Sequence, residues 1–250
     1  MTHVDAANGQ ARIEPAGEFA YWRDHTTISL QPVAAPSILG LYGFAVSTFM
    51  VAANLAGWYG DEATTPLVLF PFAFAFGGIA QLLAAMWAYR ARDALATGIH
   101  GAWGSFWIGF GIYQLLVAVH LAPGVPTSRV AAVAFGYWFI GLAAVTWVGF
   151  AAALAENIAV SLVLLTLAAG STLLAIGWTL GLGIWTTVGA IVLVASAVLA
   201  WYAASAMVLR NTTKRVVLPM GVRGQSEKLG AIPRQRIQYE AGEPGIRAGQ

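Results

Sequence analysis

The chain has 250 residues, of which 58% are hydrophobic and 10% charged, with a formal net charge of +2. That is too little polar surface to cover a water-soluble globule of this length, so the composition excludes a soluble protein and identifies an integral membrane protein. The absence of cysteine excludes disulfides, thiolate metal sites and a cysteine nucleophile.

Residues 1–36 form a first, charged tail expected on the cytoplasmic side; they lack the basic start, apolar core and small-residue cleavage site of a removable signal peptide. Six apolar stretches follow, near 37–59, 67–89, 98–121, 130–154, 158–180 and 184–208. Each is long enough to cross a bilayer core, which takes about 20 helical residues. The breaks between them are "GDEATTP", "RARDA", "APGVPTSR", "AEN" and "GLG", which carry turn chemistry. The runs are continuously apolar and lack the period-two alternation of a lipid-facing strand, so an all-α, polytopic membrane protein is expected, not a barrel. A basic tail from 209 to 250, rich in Gly and Pro, is expected to be mostly flexible and drawn to an anionic leaflet; without stacking aromatics or a binding fold it is not expected to bind nucleic acid.

Placing the N-terminus in the cytoplasm puts 12 of the 13 Lys and Arg residues inside (13 less Arg129). That bias predicts cytoplasmic termini for the six spans over 37–208, a transmembrane domain expected in the plasma membrane.

Chemistry within the spans is sparse. His3, His25, His100 and His120 do not pair with each other or with carboxylates at ligand spacing, so neither a metal nor any other cofactor is expected. Glu156 lies at a helix boundary, and no nucleophile–base cluster is visible at membrane depth, so catalysis is not expected. His100, near the start of the third span, is of some interest as a proton-sensitive group. Weakly polar residues such as Thr48, Gln81, Ser105, Gln114, Thr146 and Ser171 read first as interhelical glue, and Gly40-x-x-Gly43, Gly101-x-x-Gly104 and Gly177-x-x-x-Gly181 as sites of close helix approach. The first and third spans both open with Gly-x-x-Gly followed closely by Phe, which suggests related hairpins around an axis.

Five segments, "APSILGLYGFAVST" (35–48), "FGGIAQLLAAMWAYR" (76–90), "WGSFW" (103–107), "LLAIG" (173–177) and "RVVLPMG" (215–221), resemble in order and spacing the acetate uptake transporter family of succinate-acetate permeases. The resemblance implies a six-helix protomer assembled as a homo-hexamer, each protomer with its own path for acetate and related short carboxylates. It maps the family's constriction onto Phe44, Trp103 and Leu167. The chain departs from the family pattern at Ala35-Pro36-Ser37-Ile38, at Ala88, at Asp93-Ala94-Leu95-Ala96 and at Trp103, where the family has tyrosine.

Gln81 then acquires a purpose. Its amide can donate to a carboxylate and accept from a protonated acid, and Gly77-Gly78 leave room beside it, although an amide bonded to a carbonyl bared by those glycines is the structural alternative. The expected pore residues are therefore Phe44, Thr48, Gln81, Trp103, Ser105 and Leu167, and the expected partners are acetate or a similar small carboxylate, the lipid bilayer and five further copies of the chain. The alternatives are a channel for ammonia or urea, and a non-conducting membrane assembly protein.

Overall fold

The computed structural model describes residues 33–222. Both terminal tails, with His3, His25 and most of the basic segment, lie outside the described residues. Those described residues contain six long helices: α1 Ser37–Leu55, α2 Thr65–Ala91, α3 Ala94–Ala118, α4 Arg129–Ala153, α5 Ile158–Leu180 and α6 Gly183–Thr213.

Local signals account for their ends. Asp93, Ser128 and Asn157 adopt extended backbone and accept, respectively, from the amides of Ala96 (2.8 Å), Ala131 (3.3 Å) and Val160 (2.9 Å), which caps α3, α4 and α5. Gly181 ends α5 at φ +73°, a left-handed turn that glycine makes without steric cost. From the neighbouring helix start, Arg129 donates to the carbonyls of Trp178 and Thr179, using a cation to satisfy the bare C-terminal end of α5.

Five of the helices are both long and apolar enough to cross a bilayer. The sixth, α3, has 25 residues and hence the length, but it carries His100, Gln114, three tyrosine or tryptophan residues and five glycines. A helix of that composition belongs among other helices, and α3 buries Ile99, His100, Trp103, Phe106, Trp107 and Phe110. Large apolar side chains such as Trp87, Tyr137, Val148 and Ile184 face outward, the reverse of a soluble protein and the arrangement lipid requires.

Each helix packs on its neighbour in sequence, and α6 closes on α1, so the six form a ring; α3 also touches α1 across it. Tyr42 and Ser205 share a hydrogen bond of 3.1 Å at the closing seam. Because the helix number is even, α1 begins and α6 ends on one side, here called the tail side, and the other is the far side. The last helix runs on to Thr213, past the expected end near 208. Residues 214–222 then return to the start of α5, where the amides of Ile158 and Ala159 donate to Gly221 and Met220 at 3.0 Å.

The second span differs from the uninterrupted α-helix expected of it. Ala73–Ala80 is π-helical, between α-helical Thr65–Phe72 and Gln81–Ala91. Pro71 supplies no amide hydrogen, and Gly77-Gly78 tolerate the wider turn, so the ladder slips there. The Phe72 carbonyl accepts from Ser47 Oγ at 3.3 Å.

Tags at either terminus should be protected from external reagent in intact cells and become reactive on lysis, as the Lys and Arg bias predicts. A terminus labelled from outside would overturn that orientation.

Candidate functional site

Helical periodicity stacks three positions on one face of α1, Gly40, Phe44 and Thr48, and three on one face of α3, His100, Trp103 and Trp107. The two faces meet layer by layer. A Cβ on Gly40 would overlap the His100 ring, Phe44 meets Trp103 edge to face at 6.2 Å between centroids, and Thr48 and Trp107 line one cavity. Successive layers are about one helical turn, roughly 5.4 Å, apart.

The middle layer is a plug of rings. Trp103 is buried against Phe44, Phe106 (5.4 Å) and Phe139 (6.2 Å) in edge-to-face geometry. Its Nε1 donates to Thr146 Oγ1 at 3.0 Å, and Thr146 donates onward to the Leu142 carbonyl at 2.6 Å. The indole is thus held in one orientation from α4. Leu167, from α5, is fully buried in the same core cluster.

On the far side lies a cavity of about 20 Å³, room for one water-sized molecule, with mostly aromatic and aliphatic walls that include Trp103, Phe110, Phe139 and Trp178. Two lining residues, Thr48 and Trp107, have buried polar atoms (Oγ1 and Nε1) with no hydrogen-bond partner in the structure. On the tail side, Gln81 Nε2 lies 3.4 Å from His100 Nδ1, and Gln81 Oε1 is buried without a partner. Orphaned groups of this kind cost about 1–3 kcal/mol each; three of the four among the described residues lie beside the ring plug, and the fourth is Ser171 Oγ.

Close backbone approach sets these positions. A Cβ on Gly43 would lie 2.5 Å from the Phe76 carbonyl oxygen, and one on Gly77 would lie 2.7 Å from Ser47 Oγ and 2.8 Å from Trp107 Cγ. The π-helical segment is therefore wedged between α1 and α3, and Gln81 follows directly from it.

Of the six residues expected in the pore, the structure brings Phe44, Thr48, Gln81 and Trp103 together along this line, and Leu167 into the same core. Ser105 stands apart: it is exposed on the other face of α3, beside the buried Phe106. Gln81 does not bond to a carbonyl bared by the glycines; its partner is a side chain, His100. His100 and Trp107 lie on this line although neither is among the residues expected in the pore. Their spacing from Trp103, three residues before and four after, was the available signal.

Comparison with known proteins gives the family. Residues 21–222 match the model of the GPR1/FUN34/yaaH family. Acetate permease A of Emericella nidulans is 30% identical over 112 residues, 45% of this chain and 36% of that one. Ammonia transport outward protein 2 of Saccharomyces cerevisiae is 35% identical over 78 residues, 31% of this chain and 27% of that one. The chain thus aligns with about a third of each of these relatives. A solved structure of the bacterial acetate channel SatP superimposes with a TM-score of 0.68 at 24% identity, covering 76% of this chain and all of the other, and so shares its fold. The chain is a multi-pass membrane protein and belongs to the GPR1/FUN34/yaaH family.

Proposed function

We propose that the protein conducts acetate and related short carboxylates across the membrane, through a path within each protomer that is narrowed by Phe44, Trp103 and Leu167. The observation that carries this reading is the ring plug with unpartnered polar atoms on both sides, Thr48 Oγ1 and Trp107 Nε1 beyond it and Gln81 Oε1 before it. Small polar groups replace part of a solute's water, and the apolar ring admits it by size and wetting. Transport is the activity, not catalysis, and because the path lies inside one chain, a homo-hexamer would carry six paths.

Energetics favour the uncharged acid. Moving a bare carboxylate into a low-dielectric neck costs many kcal/mol, whereas the roughly 0.1–1% of a simple acid that is protonated at pH 7 avoids most of that cost. Radiolabelled uptake into proteoliposomes tests the reading, with acetate, succinate and methylammonium compared. Gln81→Leu is expected to leave assembly intact and to slow acetate uptake by the equivalent of about 1–3 kcal/mol in barrier. Impermeable liposomes would overturn transport altogether, and unchanged uptake with reduced thermal stability would return Gln81 to a structural role.

Ammonia is the second reading. A relative bears the name of an ammonia transporter, and the cavity beside Thr48 and Trp107 has room for one water-sized molecule, which suits ammonia better than a dicarboxylate. Methylammonium uptake without acetate uptake would select it.

A further inference from the structure

Two polar groups on the tail side of the ring plug face each other. The amide of Gln81 and the imidazole of His100 are both buried, with Nε2 and Nδ1 3.4 Å apart. His100 lies flat on α1, where only a glycine, Gly40, leaves room for the ring. It sits one turn from Trp103 on the same face of α3, so the pair belongs to the same line as the plug.

We propose that Gln81 and His100 form a solute station on the tail side of the plug that takes an uncharged C(=O)–XH group, whether of a protonated carboxylic acid or of a small primary amide. The proposal rests on the carboxylate-transport reading of this path and specifies which form of the solute is held there.

Hydrogen-bond bookkeeping gives the class. If Gln81 Nε2 donates to Nδ1, the imidazole proton is on Nε2, and the pair retains that ring donor, the second amide hydrogen and the acceptor Oε1. With the amide turned over, Nδ1–H donates to Oε1, leaving the amide N–H as donor and ring Nε2 as acceptor. Either arrangement offers a donor and an acceptor. A carboxylate brings acceptors alone: it could take the free donors but would leave the pair's own acceptor, Oε1 or ring Nε2, without a hydrogen. A protonated acid, or an amide such as acetamide, brings one of each.

The charge distribution agrees. No Asp, Glu, Lys or Arg occurs in α1, α3 or α5, and the one such residue of α2, Arg90, is exposed in its last turn, so no cation at this depth on those helices would compensate an anion. The contact between the two side chains is also long for a hydrogen bond, and Oε1 has no partner. Exchanging the contact for two bonds to a solute therefore sacrifices little.

The test uses the purified full chain in proteoliposomes at constant pH, with labelled acetate and two unlabelled competitors of similar size. Acetamide carries acceptor and donor, whereas acetone carries the acceptor alone. Acetamide is expected to suppress acetate uptake and acetone is not. His100→Leu is expected to lower acetate uptake about tenfold, as loss of a buried hydrogen-bonding group would. It should also erase the acetamide effect, while His100→Gln, which keeps a donor and an acceptor, retains both uptake and competition. Acetate uptake indifferent to acetamide, or equally sensitive to acetone, overturns the station and leaves the transport reading standing. No acetate uptake by the parent protein overturns both. If His100→Leu does not assemble, the two competitors on the parent protein decide.

Discussion

Replacing Trp103 by alanine is expected to raise succinate flux relative to acetate by about tenfold, equivalent to a barrier lower by roughly 1.4 kcal/mol for the longer acid. The indole is the centre of the plug, packed edge to face on Phe44, Phe106 and Phe139, and it separates the cavity at Thr48 and Trp107 from the Gln81 amide. Removing it joins the two polar regions through a wider, more readily wetted opening. The packing loss is about 3–5 kcal/mol, so oligomer size and thermal stability must be measured beside flux. Thr146 does not become an orphan, because its hydroxyl still donates to the Leu142 carbonyl. Trp103→Phe separates the two roles of the side chain, retaining most of the wall while losing the Nε1 donor. An alanine variant that folds and assembles but keeps the parent's acetate-to-succinate ratio would show that the ring plug is not the filter.

Gly43→Val is expected to abolish folded protein. The first added carbon would lie 2.5 Å from the Phe76 carbonyl oxygen, a backbone atom that cannot rotate away, inside the π-helical segment between α1 and α3. Relief requires displacing α2 as a whole, which would carry Gln81 with it. Overpacking a well-packed core typically costs about 1–3 kcal/mol, and here a backbone wall leaves little room for the side-chain shifts that keep it that low. The expected result is aggregated or undetectable protein on size-exclusion chromatography in detergent. Gly98→Ala and Gly141→Ala are the controls: nothing lies within 4 Å of a Cβ at either, both are in helices, and the change should stabilise by up to about 1 kcal/mol. A monodisperse Gly43→Val protein with parental flux would show that the contact between α1 and the π-helical segment does not organise the path.

Most of this architecture is legible in the amino-acid order. Long neutral blocks separated by charged or Gly/Pro-containing breaks locate all six helices, and Asp93, Ser128 and Asn157 fall at their starts because short polar side chains cap exposed amides. The tail end of α6 was not legible: residues 209–213 are polar enough to read as solvated chain, yet continue the helix to Thr213. The π-helical turn was also hidden, since Pro71 and Gly77-Gly78 are compatible with a kink, a break or a slipped ladder, and packing on Ser47 and Trp107 selects among them. Within the site, Gln81 is conspicuous as an amide in an apolar run. His100 was undervalued because composition cannot say whether a histidine near a helix start faces headgroups or the bundle interior; the bare backbone of Gly40, a helix away, decides that. Ser105 illustrates the opposite error, a polar residue next to Phe106 in sequence whose helical angle turns it away from the line of Phe44, Trp103 and Trp107.

The seam at which α6 closes on α1 joins residues 163 positions apart, as between Tyr42 and Ser205. Every other side of the ring is made by consecutive helices across short breaks and can form as each hairpin enters the membrane. This one must wait for the last helix to be synthesised. Until then, the α1 flank destined for α6 is open to lipid or to the wrong neighbour. The alanines at 197, 200, 203 and 204, all fully buried once the bundle is complete, give the late-arriving helix a smooth surface that can settle against its neighbours without large side chains having to interlock.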